Sequence, residues 1–154
     1  MADHVREQIT VAAVAALTGL ATTGTRVFRD RDTEERPLQP SATPTEIPGL
    51  LVDDDGDPAE LITIDLSQIL ERTMRLRVTA HVKKLAGYGA ELNQILKEVE
   101  VAMAGAALAG AKSSRIIEVG PREKAEGSDQ PTLRQAFVFE LVYYTAAGAP
   151  DIAL

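Results

Sequence analysis

The chain has 154 residues, of which 45% are apolar and 25% are charged, so it is long enough to bury the core of one domain. With 23 acidic and 16 basic residues, the net charge is −7, which argues against a broad cationic surface for nucleic acid. Cysteine is absent, which excludes disulfides, thiol catalysis and thiolate metal sites.

The first predicted element is an amphipathic helix, because Val5, Ile9 and Leu20 recur on one helical face. Asp3 is placed to cap its first turn. Residues 8–25 carry no formal charge, but this run contains five threonines and two glycines, and its aliphatic side chains lie on one side only. A membrane span or a signal peptide is therefore not expected.

Two short strands, 25–29 and 47–52, are predicted on either side of a segment rich in charges and prolines. This segment, residues 30–46, is predicted to be a long exposed loop. A solvated connection is one interpretation, and an arm that contacts a partner is the other. The basic residues at its start and within it are Arg29, Arg31 and Arg36.

A cluster of carboxylates follows the second strand and could suggest a hard cation. Asp53, Asp54, Asp55 and Asp57 surround Gly56, yet the spacing does not match a calcium-binding loop. An acidic turn is the expectation, and a metal site is the alternative. A third strand is predicted over residues 60–66, where aliphatic side chains return.

The segment 73–83 alternates between apolar and polar side chains, which predicts a strand with one buried face and one wet face. The apolar parity is Met74, Leu76, Val78, Ala80 and Val82. The other parity is Thr73, Arg75, Arg77, Thr79, His81 and Lys83.

A second helix is predicted over residues 90–103, because Leu92, Ile95, Leu96, Val99 and Met103 share a face. Strands are then predicted over 114–119 and 133–145. The last one is apolar on both parities in its centre, which favours a central position in the sheet. Residues 146–154 carry no element pattern and are predicted to be a flexible C-terminal tail.

This order of elements predicts an α+β fold in a single domain over residues 1–154. We expect a mixed or antiparallel β-sheet with both α-helices packed on one face. The other face would then carry Arg75, Arg77 and His81, and it would be left for solvent or for other copies of the chain.

No catalytic, cofactor-binding or metal-binding motif is recognisable, so the chain is not predicted to be an enzyme. The two histidines, His4 and His81, are separate from each other in the sequence. His81 is predicted to be a surface residue, because it lies on the polar parity of its strand; a catalytic base is the alternative.

Several segments together resemble the tail terminator family of tailed bacteriophages, the minor-tail-protein-U or tail completion type. They include the alanine-rich helix 9–20, the strand Thr23-Gly24-Thr25-Arg26-Val27-Phe28-Arg29 and the strand Ile47-Pro48-Gly49-Leu50-Leu51-Val52-Asp53. Residues 72–82 with the helix 90–103, and the strand 137–145, complete the resemblance. The loop 30–46 is longer than expected for such a protein.

The resemblance implies an α+β virion subunit that forms a ring, expected to be a homohexamer, at the neck end of the tail. Such a ring would cap the tail tube, stop its polymerisation and offer a docking surface to the head-tail connector. DNA would pass through the lumen without specific binding, and assembly would take place in the host cytoplasm. No cofactor and no membrane are implied.

For such a ring, the candidate assembly-interface residues are Arg29, Arg31, Arg36, Arg75, Arg77 and His81. Two alternatives remain open. One is another tail or neck component, such as a tail tube or head-completion protein. The other is a metal-dependent enzyme built on Asp53, Asp54, Asp55 and Asp57.

Overall fold

A computed structural model describes residues 3–31, 37–56, 59–61, 68–83, 85–105, 108–125 and 130–154. The elements in chain order are α1 (Val5–Leu17), β1 (Val27–Arg29), β2 (Gly49–Asp54), β3 (Ala59–Leu61), β4 (Ile69–Lys83), α2 (Tyr88–Gly105), β5 (Ser113–Val119), β6 (Glu123–Lys124), β7 (Thr132–Ala146) and β8 (Ala149–Ala153).

All of these strands belong to one mixed sheet. Its main path runs β1-β2-β4-β7-β5, with β3 added beside β4 and with β6 and β8 added beside β7. The β1–β2 pair is parallel and the other pairs are antiparallel. The predicted α+β fold and the predicted central position of the last long strand, β7, are therefore confirmed.

Helix α1 begins one residue later than Asp3 would place it. His4 is the N-cap, and its side chain accepts a hydrogen bond from the Arg6 backbone amide at 3.1 Å, so Asp3 as the cap was wrong. The helix ends at Leu17, and Gly19 follows with a φ of +94°, a left-handed conformation that glycine adopts without strain.

Both helices pack on the same face of the sheet, as predicted. Their buried side chains join one hydrophobic core with those of β2, β4 and β7. From α1 these are Val5, Ile9, Ala13 and Leu17, and from α2 they are Leu92, Ile95, Val99 and Met103. Burying an aliphatic side chain of this size contributes about 1.5 to 3 kcal/mol, so α2 is held mainly by these contacts.

The alternating strand β4 sets which face is buried. Its even-numbered residues from Met74 to Val82 are fully buried under the helices. They lie opposite the odd-numbered residues of β7, with Val78 opposite Phe137 and Leu76 opposite Phe139. We call this the helix face, and the opposite side of the sheet the second face.

The connection between β1 and β2 crosses part of the second face. Parallel strands need such a crossover, because the chain must return to the same end of the sheet. We call residues 37–47 of this connection the strap. The predicted exposed loop 30–46 is wrong for residues 37–40, since Leu38 is fully buried and Pro37 and Pro40 are buried too.

The C-terminal segment also differs from the prediction. Residues 146–154 were expected to form a tail without regular structure, yet Ala149–Ala153 form β8, which pairs with the end of β7. Gly110 packs closely against this strand, and a side chain there would lie 2.5 Å from the Ala153 Cβ. The tail is therefore part of the folded sheet.

The assignment of faces makes a direct prediction for stability. The variant Val78→Asp would place an unpaired carboxylate in the fully buried helix face, at a cost of about 3 kcal/mol or more, so we expect insoluble or unfolded protein. Arg77→Gln, one residue away on the second face, should change the free energy of unfolding by less than about 1 kcal/mol, because Arg77 is exposed. Urea denaturation of both variants checks this, and equal stability would show that the faces are misassigned.

Candidate assembly surface

The second face of the sheet is divided into an open part and a covered part. In the open part, Arg75 and Arg77 on β4 are exposed to solvent. At the boundary between the two parts Thr79 is 4% exposed, and in the covered part His81 is fully buried. The same strand parity therefore changes from wet to buried along the length of β4.

The open part contains a cleft of about 340 Å³. Ala136 and Val138 of β7 contribute its apolar lining, and Val138 is only 5% exposed. The polar lining residues are Asp53, Asp54, Asp55, Arg77, Thr79, Glu118, Glu123 and Arg134. Five carboxylates and two guanidinium groups therefore share this concave surface.

Ion pairs occupy much of this polar lining. Arg77 Nη2 lies 2.9 Å from Asp55 Oδ2, and Arg134 Nε lies 3.5 Å from Glu123 Oε2. Asp54 is held from the side by Arg6 of α1, through two hydrogen bonds. These contacts make the cleft a network of charged pairs near the surface, each of which contributes little to stability.

The covered part of the second face lies under the strap. Leu38 and Ile47 of the strap are buried, as is Leu51 of β2, and none of the three belongs to the main core beneath the helices. The burial of Leu38 is therefore separate from the main core. Sequence reasoning missed it because prolines surround Leu38 and no periodic pattern marks the segment.

Arg31 fastens the strap at its base. Its guanidinium group makes two hydrogen bonds of 2.9 Å to the Glu46 carboxylate and donates a third to the Pro37 carbonyl. It also lies over the Phe28 ring, 5.5 Å from the ring centroid. The hydrogen bonds from the Arg31 side chain hold the pKa of the Glu46 carboxyl below its usual value, so this group stays charged to a lower pH.

Gly49, at the start of β2, lets the strap lie close to the sheet. A side chain at this position would meet the Glu46 carbonyl oxygen, and would lie 3.0 Å from Leu38 Cδ1. Gly49 is also the cross-strand partner of His81. A glycine at this point is therefore required by close approach of the backbone.

His81 is not the surface residue that the sequence predicts. It is fully buried, and neither of its ring nitrogens has a hydrogen-bond partner at ordinary geometry among the described residues. Burial lowers the pKa of His81 to about 4, opposed in part by the Thr79 backbone. The strand parity was correct, but the strap covers this end of the face.

The six candidate interface residues do not lie on one surface. Arg29 points to the helix side, where it makes a two-point contact with Glu7 of α1, and its hydrogen bonds lower the pKa of that carboxyl. Arg31 is engaged within the strap base, and Arg36 lies outside the described residues. Arg75 and Arg77 remain open to solvent.

The alternative of a metal site rests on the aspartates at the end of β2 and just after it. Within the part of the chain that the structure describes, no group of three or more metal-ligating side chains is brought together. Asp57 lies outside that part. Likewise, neither of the helices described here is both long and apolar enough to cross a bilayer.

Several large aliphatic side chains are exposed at sites that sequence reasoning did not single out. On α2, Val101 is 67% exposed and borders an apolar depression with Leu20 and Ala102. On the edge strand β5, Ile117 and Val119 are 39% and 47% exposed. Val101 lies outside the buried stripe of α2, and this position on the helix was the sequence signal that could have predicted its exposure.

No protein-family model matches the chain. No curated protein matches it either. Among solved structures, it is similar to a chain of the virion of a native gene transfer agent particle, with a TM-score of 0.48, 16% sequence identity and 90% of each chain covered. A likeness at this level carries no argument about function.

The strap contact at Gly49 can be tested by adding one methyl group. Gly49→Ala should lower the free energy of unfolding by about 1 to 3 kcal/mol, because the new Cβ would collide with the strap backbone. Gly105→Ala is the matched control, since a Cβ there meets no heavy atom within 4 Å. Its effect should stay below about 1 kcal/mol. Equal midpoints for both variants in thermal unfolding would contradict close packing of the strap.

Proposed function

We propose that this chain is a virion structural protein of the tail terminator kind. In this proposal it forms a closed ring, with six copies as the expected number, that caps the tail tube and stops its polymerisation. The ring also docks to the head-tail connector, at the neck end of the tail. The protein is made and assembled in the host cytoplasm.

Three observations support the proposal. The first is the sequence resemblance over the opening helix, both early strands, residues 72–82 with the helix 90–103, and the strand 137–145. The second is the α+β fold, which is the fold class that the resemblance implies. The third, which carries the proposal, is the open part of the second face, a concave charged surface that neither helix covers.

The charge of the open surface suits contact with protein better than contact with DNA. The cleft has an excess of carboxylates, and the whole chain carries a net charge of −7. An anionic ring would let DNA slide through its lumen without being held. The exposed arginines on β4 are then contacts to a neighbouring protein rather than to phosphate groups.

The proposal assigns no catalysis to the chain. Arg77 and Arg134 pair with carboxylates of the cleft, and Asp54 is paired with Arg6. These ion pairs fix the positions of the charged side chains that line the cleft. The arrangement is suited to fixing the shape of a contact surface.

A closed ring makes a prediction for the purified protein. A terminator must stop at a ring, whereas a tube protein adds further rings along an axis. We expect negative-stain images of separate rings, and one discrete multiple of the chain mass in sedimentation or light scattering. Long tubes would instead favour the tail tube alternative, and a monomer at all concentrations and on mixing with tail tubes would contradict the proposal.

The open arginines make a second prediction, for the contact between proteins. Arg75→Ser combined with Arg77→Ser removes two exposed positive charges from the second face, and we expect at least a tenfold loss of ring assembly with the fold intact. Lys97→Ser combined with Lys112→Ser removes the same charge from exposed positions on α2 and after it. This control should assemble normally.

Circular dichroism and sedimentation velocity of both double variants provide the measurement. If the arginine variant and the lysine control assemble equally well, Arg75 and Arg77 are not part of the interface.

A further inference from the structure

The buried imidazole beneath the strap is a titratable group in an unusual place. His81 lies at the second-face end of β4, opposite Gly49 of β2 on one side and Arg134 of β7 on the other. The strap closes over it, so that the whole residue is removed from solvent. No role for this histidine follows from ring formation.

We propose that the strap, residues 37–47, is an acid-released latch: a proton on His81 detaches the strap from the second face while the sheet stays folded. This inference does not rest on the proposed function, because it concerns a contact within one chain.

Burial is the main reason why a proton on His81 is unfavourable, and the charges around the ring add to it. Arg134 faces it from β7, and Arg31 faces it from the end of β1, so two guanidinium groups already oppose a third positive charge. Among the described residues, Glu46 of the strap is the carboxylate that faces His81, and this group is already engaged by Arg31 through both oxygens. Neighbouring β2 contributes only the uncharged Gly49.

The strap is the part that can yield. Strand β4 is held in the sheet, since all 15 of its residues pair with β7. By contrast, the backbone hydrogen bonds that start within the strap, from Ala42 and Glu46, both return to the Gln39 carbonyl inside it. Among the described residues, the burial of its apolar side chains and the Arg31 contacts to Glu46 and to the Pro37 carbonyl hold the strap in place. Local opening is therefore cheaper than global unfolding.

The direction of the pH dependence follows from the lowered pKa of His81. An open strap would expose the ring to water and return its pKa toward the ordinary value of 6.5, compared with about 4 when closed. The open form then binds more protons between these values, so the latch is stable above pH 6.5 and weakens as the pH falls toward 4. The lowered pKa of Glu46 keeps the Arg31–Glu46 pair intact over most of that window.

Hydrogen exchange followed by mass spectrometry or NMR tests the latch on the full chain. The reporter amides are those of Gln39, Ala42 and Glu46, whose hydrogen bonds close within the strap. A detached strap without buried apolar side chains would not keep these few bonds closed, so their exchange reports on detachment. After correction for intrinsic exchange rates, their protection should fall roughly 50-fold from pH 7.5 to pH 4.5. Amides of β4 and β7 should keep their protection, because the sheet stays folded.

Two variants separate the histidine from the ion pair. In His81→Leu the fall in protection should shrink to at most about twofold, since only Glu46, whose pKa is lowered in the closed strap, still titrates near pH 4.5. In Glu46→Gln the strap amides should exchange faster at every pH but keep most of the pH dependence, because His81 is still present. The NMR titration of the His81 ring in the parent chain adds a measurement that needs no variant.

Three results would overturn the proposal. One is strap protection that does not change with pH in the parent chain. Another is an equal change in His81→Leu, and the third is loss of strap and sheet protection together. If the leucine variant fails to fold, a His81 ring that titrates near pH 6.5 with the strap still protected would also overturn it.

Discussion

The pairing of β4 with β7 is the constraint on which the rest of the structure depends. The two strands have 15 residues each and are paired along their whole length. Because side chains alternate across a strand, this one register decides which residues lie under the helices and which lie on the second face. A slip by one residue would exchange Val78 with Arg77 and expose the core.

The two faces of the sheet are completed in different ways. The helix face is closed by α1 and α2, whose aliphatic side chains fill a single core. Within the described part of the chain, the second face is closed at one end, by a strap whose anchors are Leu38 and the Arg31–Glu46 pair. What remains is a concave surface with carboxylates and arginines in close contact. The proposed assembly contact and the proposed latch are therefore neighbours on one face.

Periodic patterns that run over many consecutive residues were enough to predict the main elements. The alternation in β4 and the helical stripe in α2 correctly gave the α+β class and the helix face. Short elements without a pattern were missed: β6 has two residues, and β8 combines alanine, proline and aspartate with one large aliphatic side chain. The N-cap was misplaced by one residue, since both Asp3 and His4 offer a suitable acceptor.

The candidate site was harder to predict because it depends on contacts between distant segments. Strand parity placed His81 correctly on the second face. Its burial, however, depends on the strap, whose residues lie more than 30 positions before His81 in the sequence. Arg29 and Arg31 are close in the chain, yet one faces α1 and the other faces the strap. No local pattern distinguishes these two environments.

The central claim is that the open part of the second face is where this chain meets another protein subunit. A cryo-electron microscopy reconstruction of the purified assembly tests it most directly. The account predicts a closed ring in which Arg75 and Arg77 lie in the contact between neighbouring copies. A ring in which both arginines face bulk solvent, or a particle that holds a single chain, would contradict it.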